Sequence, residues 1–583
     1  MFSNYSSFIV EIKNIKFITD ESVVIQKTAI ITFHDLEKKK SSIELLGYID
    51  TEEIYKLIDK KKPINLNHCY VSNFSLSNYR NLRNLGKKEY LKLFGFSARN
   101  AFFDSKFPVD FSFAEFDDGD IDFENTQFAN GNVSFNSAKF GNGNVNFAYV
   151  LFNDGNLDFS NAHFGEGDLI FKNSIFKPGI KDFQYTDFGL GEISFINTEF
   201  NDGDISFINA NFNDGDVSFK VARFGKGKID FHYAKFGKGD ISFERTEFGE
   251  GRVDFRKVEF GQGKVNFNRS IFGNGDVYFE ASELKKGRFS FKRTEFGNGN
   301  INFELAEYVN ADLSFDRATL GKGSISFYNS KFHTLSLKSC HLDNYLDLRL
   351  AKCTYVDLSD TIARDIIDLK PHEFDVDIDI VNFSGMRLIG RIYIDWKVND
   401  VKKLISKQTN TNKRDKAEQF RILKENFNVT GQYSDEDKSY VEFKRYEAKS
   451  NLNEAIKKKP YSAIWEYPWY IFKQLLFDKA GLYATSPLRV IISMLILYVF
   501  FSIIYIIILH INSTGIVSGY GGEHAALSII SKSFYHSAIT FLTIGYGDFY
   551  PLGIIRWISS IEGFSGLFLM AYFTVAFVRK ILR

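Results

Sequence analysis

The sequence predicts a multidomain chain with four parts in order. These are an N-terminal α/β cap, a rod of stacked short β-strands, a helical linker, and a C-terminal all-α domain with two membrane spans. Three observations predict it. A phenylalanine, or a residue standing in for it, recurs every 12 residues from Phe116 to Phe332. Two apolar runs long enough to cross a bilayer lie near the far end. Between rod and spans the sequence turns charged, with apolar residues at helical spacing. Composition agrees: 63 Phe and 43 Gly beside only 8 Pro and 4 Met is the bias that repetition leaves. The 583 residues are too many for one core. Acidic and basic residues balance at 72 each, which gives no global case for a nucleic-acid partner. Cys69, Cys340 and Cys353 make neither a disulfide framework nor a CxxC metal knuckle. Charged residues precede any long apolar run at the N-terminus, so no secretory signal is expected.

Residues 1–98 do not repeat. FIVEIKNIKF and VVIQKTAIITF alternate as strands do, and TEEIYKLIDKK has helical spacing. A folded cap there would cover the open edge of a first coil. Ligand binding by the cap remains an open alternative.

Residues 99–332 follow the unit F-x-x-G-x-[IV]-x-F-x-x-[AT]-x. Alternation puts Ile121 and Phe123 on one side of a strand, and Thr126 and Phe128 on one side of the next. The glycine at position four, as at Gly119, Gly131, Gly227 and Gly263, is expected to supply a corner with positive φ. Two faces cannot enclose a core, whereas four can. Each coil should therefore hold two units, about 24 residues. At roughly 4.8 Å per layer, about nine coils give a rod on the order of 40 Å long.

The x-x-[AT]-x-F half of the unit resembles the pentapeptide repeat. The resemblance implies a right-handed quadrilateral β-helix over roughly 100–395, with alternate seven-residue steps as a variation. Residues 333–398 (LSLKSCHLDNYLDLRLAKCTYVDLSDTIARDIIDL and onward) loosen into five-residue steps that end near Trp396. Such a rod serves either as spacer and assembly scaffold or as a partner-binding surface. Some pentapeptide-repeat proteins imitate DNA through an acidic surface. Here the acidic excess is marked only over 101–200, at 16 to 5, and the next hundred residues are slightly basic, which fits such mimicry poorly. The repeated Gly-x-Gly pairs are corners rather than a nucleotide loop, because no long helix follows a strand there.

In the linker, 399–457, Phe420, Leu423 and Phe427 suggest a helical hairpin. Residues 460–485 mix Trp465, Tyr467, Trp469 and Tyr470 with Lys473 and Lys479, the composition of an amphipathic helix at a membrane surface.

The C-terminal domain, 488–583, holds spans at Leu488–Ile511 and Ile554–Val578. Between them lies SFYHSAITFLTIGYGDFYPLG. Its core, Thr543-Ile544-Gly545-Tyr546-Gly547-Asp548, resembles the selectivity filter of the two-transmembrane potassium channel family. Rings of backbone carbonyls can replace the water shell of K⁺ without fixed charge. They face one axis only if the chain alternates between ordinary and left-handed dihedrals, which Gly545 and Gly547 permit. The resemblance implies that K⁺ is held by the carbonyls of Thr543, Ile544, Gly545 and Tyr546, with the Thr543 hydroxyl at the inner mouth and Asp548 at the outer. It also implies that Tyr546 packs on aromatics such as Phe534 and Tyr535. A short helix over about 531–542 would aim its C-terminal end at a cation. Departures are Ile539, where some members carry a glutamate that pairs with the outer aspartate, and Leu542, where threonine is frequent. Gly563 and Gly566 fall where the family's gating hinge is expected, and both are equally readable as packing residues. Glu562 should make a structural hydrogen bond behind the filter.

The resemblance further implies a homotetramer, with permeant K⁺ and no cofactor. Arg489 and the preceding lysines, with Arg579, Lys580 and Arg583, bracket one side of the membrane. Both termini and the rod are therefore expected in the cytoplasm, and the spans in the plasma (inner) membrane. The glycine-rich segment Asn512–Lys532 would form the outer loop. The alternative is a membrane-anchored scaffold with a vestigial pore, which an intact TIGYGD opposes. No nucleophile, metal or cofactor motif points to an enzyme, and His536 is expected to pack. A cytoplasmic ligand or protein acting at the solenoid or cap is the partner this reading expects for gating.

Overall fold

A computed structural model describes residues 5, 7–19, 23–34, 41–129, 132–511, 515–518 and 527–582. It divides into two compact units, Met1–Gln408 and Thr409–Arg583. Gly131, Arg583 and most of the glycine-rich Asn512–Lys532 segment lie outside the described residues.

In the first unit, the inward residues of each 12-residue unit do fall on shared walls. Four parallel ladders run the length of the rod. Their registers, Ile121↔Val145, Gln127↔Leu151, Val133↔Leu157 and Lys139↔His163, all advance by one coil of two units. Like therefore stacks on like. Phe123 lies on Phe147 with ring centroids 4.8 Å apart and planes 7° from parallel, and Phe135 lies on Phe159 at 4.7 Å and 6°. The two central stacks meet edge to face, as at Phe123 and Phe135, 5.8 Å apart and 88° crossed. Each favourable ring pair adds about 0.5–1.5 kcal/mol beyond its buried area.

Two polar ladders run beside the rings. Asp120 accepts the backbone N–H of Asn144, Asn144 that of Asp168, and Asp168 that of Glu192, at 2.8, 2.9 and 2.9 Å. The buried hydroxyls at position eleven donate to a phenylalanine carbonyl of the coil before, as from Thr198 to Phe171 at 2.8 Å and Ser270 to Phe243 at 2.6 Å. That is why Ala, Thr and Ser interchange there: each is small, and the last two bring their own bond.

The role expected of the glycines is different in the structure. Among the described position-four glycines only Gly155, Gly179, Gly203 and Gly287 have positive φ. The left-handed residue is instead the one at position ten, such as Asn125, Tyr149, Arg245 and Leu305, at φ 54°, 60°, 57° and 60°. Position four needs glycine because coils pack backbone on backbone. A Cβ on Gly167 would stand 2.3 Å from the carbonyl oxygen of Gly143.

Strand stacking reaches back to Gly47, which pairs with Cys69, and forward to Tyr393. Coils thus begin within the region expected to be a separate cap. Helices α1 (Thr51–Asp59) and α2 (Leu76–Leu82) are inserted between their strands. The antiparallel strands Ser7–Lys13, Lys27–His34 and Ser41–Ile49 curl over the outside of the first wall. There Ala29, Ile31, Phe33 and Leu46 bury Tyr70, Phe102 and Ala129. At the other end α3 (Val401–Ser406) closes the last coil. Gln408 donates to the carbonyl of Val381 at 2.6 Å, and Asn399 to that of Leu369 at 2.8 Å.

The second unit begins with the expected hairpin. Asn412 and Asp415 form a capping box at the start of α4 (Lys413–Val429), which pairs with α5 (Tyr433–Lys458) and buries Phe420, Leu423 and Phe427. Helix α6 (Ala463–Lys473) leaves Trp465 and Trp469 exposed, and it runs into a π-helical turn, Gln474–Lys479. Then come α7 (Pro487–Ile511), α8 (Ile529–Phe541) and α9 (Ile555–Ile581). At 25 and 27 residues, α7 and α9 are apolar and long enough to cross a bilayer.

Candidate functional site

Helix α8 stands between α7 and α9 and delivers the chain to Thr543. It ends in a Schellman motif: Thr543 N–H donates to the Thr540 carbonyl at 3.0 Å and Ile544 N–H to that of Ile539 at 2.9 Å. This motif demands a left-handed residue at its turn, and Thr543 supplies it at φ 53°. Gly545 and Gly547 follow at φ 63° and 77°, while Ile544 and Tyr546 between them stay out of that region. The alternation expected of the two glycines therefore starts one step earlier, at a threonine. The Thr543 hydroxyl donates to the Leu542 carbonyl at 2.7 Å.

The whole segment from Leu542 to Gly547 is exposed in the protomer, and a Cβ at Gly545 or Gly547 would meet nothing within 4 Å. Tyr546 is 70% exposed rather than packed on Phe534 or Tyr535 of its own chain. Those aromatics are engaged elsewhere. Phe534 packs edge-on against Tyr498 at 5.8 Å, and the Tyr535 hydroxyl donates to Asp548 at 2.7 Å. Tyr535 thus holds Asp548, a role that Ile539 on the same helix has no polar group to fill.

Behind this segment a buried polar chain ties three helices together. Glu562 of α9 accepts from Tyr505 of α7 at 2.6 Å and from Ser537 of α8. Tyr505 also meets Ser559 at 3.1 Å, and Ser559 meets the His536 ring at 3.0 Å. Glu562 and Tyr505 are 0% exposed, so this arrangement satisfies a carboxyl that lipid would not tolerate. His536 packs in it, as expected. The two candidate hinge glycines differ. A Cβ on Gly566 would lie 2.0 Å from the Phe541 carbonyl oxygen, which makes it a close-packing position at the end of α8. Gly563 has ordinary room, 3.6 Å from the Thr540 oxygen, and α9 runs through both without a break.

A second set of contacts, invisible as a motif, gathers where α9 ends. The Tyr572 hydroxyl accepts the Ala484 N–H and donates to the Phe477 carbonyl, both at 2.8 Å. It thereby closes a turn in which Leu482, Tyr483 and Ala484 are all left-handed, at φ 49°, 55° and 62°. Three such non-glycine residues in a row cost on the order of 1–2 kcal/mol each, so the clasp has strain to hold. Arg445 of α5 forks onto buried Asp478 of the π-turn at 2.8 and 2.9 Å and reaches Glu442 at 2.8 Å. These carboxylates, Asp478 first, raise the guanidinium pKa above its usual range. Only the polarity of Tyr572 in an apolar run hinted at any of this.

Residues 493–583 match the family model described as ion channel. No curated protein and no solved structure matches the chain. The chain therefore joins a two-span ion-channel region to a long parallel β-solenoid.

Proposed function

We propose that this chain is one subunit of a homotetrameric, potassium-selective channel whose opening is governed through its cytoplasmic solenoid. The observation that carries the reading is the Thr543–Asp548 segment, hung between two membrane-length helices with left-handed residues at alternate positions. Alternation turns successive carbonyls toward one side, and four copies around an axis would form the rings that dehydrated K⁺ requires. The exposure of this segment in a single protomer suits a site completed by other copies. K⁺ is then the permeant ion at the carbonyls of Thr543, Ile544, Gly545 and Tyr546, and no resident cofactor is invoked. The basic residues Arg489, Arg579 and Lys580, all toward one side of the two spans, support a topology with both termini and the solenoid in the cytoplasm, beneath the inner membrane.

K⁺ and Na⁺ flux through the full-length protein in liposomes tests the reading. K⁺-selective flux, abolished in Gly545→Ala, is the expected result. Equal K⁺ and Na⁺ flux would remove the selectivity claim. No flux in the parent or in any variant with a destabilised closed state would favour the membrane-anchored scaffold.

A further inference from the structure

The cytoplasmic-side end of α9 is held by one face of α5. Arg579 pairs with Asp437 at 3.0 Å and approaches Glu436 at 3.7 Å, and Lys580 donates to the second oxygen of Asp437. The Arg579 guanidinium also lies over the Tyr440 ring, 4.5 Å from its centroid. The acidic side chains are nearly dry, at 4% for Glu436 and 9% for Asp437, so this is no solvent-screened surface pair. The charges suit their helices: Glu436 sits in the first turn of α5, and Arg579 and Lys580 in the last turn of α9. Two turns further along α5, Arg445 grips Asp478 in the π-turn that leads into α7. One continuous helix therefore holds the segment entering the first span and the end of the second.

From this geometry we infer that α5 is the lever of the gate, and that Asp437 with Arg579 and Lys580 is the latch that keeps the α9 ends in their resting position. The inference rests on the channel reading above and adds the element that regulates it. Residues 409–432 join α5 covalently to the solenoid unit, so a partner or ligand that pulls on the solenoid pulls on this helix. When α5 moves, buried carboxylates must either carry Arg579 and Lys580 with them or lose them. Losing them takes two cations from carboxylates that are nearly dry, which is costly. The outcome is that α9 follows α5. Asp437, Tyr440 and Arg445 are positioning residues in this account, since none touches the ion path.

The test uses the full-length protein in K⁺-loaded liposomes with two readouts. One is K⁺ flux. The other is the inter-subunit distance between spin labels at Leu582→Cys, an exposed position, while the native Cys69, Cys340 and Cys353 are buried. Asp437→Asn removes the charge and keeps the shape. It should raise flux about tenfold, the effect of shifting a two-state equilibrium by one decade, lengthen the label distance, and leave K⁺/Na⁺ selectivity unchanged. Asp437→Lys should do the same, and Asp437→Lys with Arg579→Glu and Lys580→Glu should restore the parent values. Parent-like flux and distances in Asp437→Asn would overturn the latch. So would failure of the triple exchange to restore distances, which also decides the case if Asp437→Asn does not assemble. Longer distances with no K⁺ flux in any variant would leave the latch standing and overturn the channel reading instead.

Discussion

Replacing Lys181 by methionine should stabilise the middle of the rod. Lys181 takes the place that Ile or Val fills in most units, with Leu157 and Ile205 as its ladder neighbours, and it is 1% exposed. Its ammonium donates to the carbonyls of Phe200 and Asp202, both at 3.0 Å. Burial lowers its pKa from 10.5 to about 8, only partly offset by Asp202. At ~1.36 kcal/mol per pK unit, holding the proton inside costs about 3 kcal/mol. The direction follows from linkage. The folded pKa is the lower one, so the penalty is full below about pH 8. It shrinks as pH rises through the interval in which only the unfolded chain still binds the proton, and it is gone above 10.5. Methionine matches the length of the stem but leaves two carbonyls without this donor, a loss of about 1 kcal/mol each. The net gain at pH 7 should be on the order of 1 kcal/mol. Coils of a solenoid open locally, so hydrogen exchange read by mass spectrometry on the intact protein can resolve it. Slower exchange over residues 157–205 in Lys181→Met at pH 7 is expected, with the advantage vanishing or reversing toward pH 10. Equal exchange at pH 7, or a parent protein whose opening free energy is flat from pH 7 to 10, would refute the reasoning.

Two further outcomes follow from close contacts. Gly167→Ala should open the coil around residue 167 by more than the ~1 kcal/mol that an unstrained glycine site tolerates, because its Cβ meets the Gly143 carbonyl at 2.3 Å, and faster exchange confined to 143–191 would report it. Tyr535→Phe should free Asp548 and hasten the decay of ion current during sustained opening; unchanged decay would show that Tyr535 does not hold Asp548 for conduction.

Much of this architecture is legible in the chain because repetition averages out local ambiguity. One pair such as Ile121 and Phe123 leaves helix and strand both possible. Eighteen consecutive 12-residue steps from Phe116 to Phe332, nearly all with an Ile, Val or Leu and Phe pair facing inward, do not. The coil length was legible too, since stacking like on like admits only whole units. What sequence reasoning misassigned was the corner. Glycine suggested positive φ, whereas the left-handed residue is Asn125 or Arg245, whose type says little, and the glycine answers to a neighbouring coil that no local window contains. The same limit applies in the second unit. TIGYGD was visible as a motif, but Tyr535 on Asp548, Tyr505 on Glu562 and Asp437 on Arg579 join residues 13 to 142 positions apart through packing. Polar side chains in apolar spans signal that a partner exists without saying which.

The left-handed row at position ten has a bearing on how such a rod can change. Its side chains stand outside the core and its backbone conformation is imposed by the coils on either side. Residues as unlike as Asn173, Tyr185, Val221, Lys257 and Leu305 all adopt it, at φ between 57° and 60° where Asn173, Tyr185, Val221 and Leu305 are concerned and 55° for Lys257. The rod thus separates two kinds of information. Its interior, dominated by stacked phenylalanines, repeats in register from coil to coil and so fixes length in whole coils. Its margin is a column, one residue per half-coil, whose side-chain type the shared backbone conformation leaves open, and some of its members bond along the rod, as Asn197 to Asn173 at 2.8 Å and Lys257 to Tyr233 at 2.9 Å.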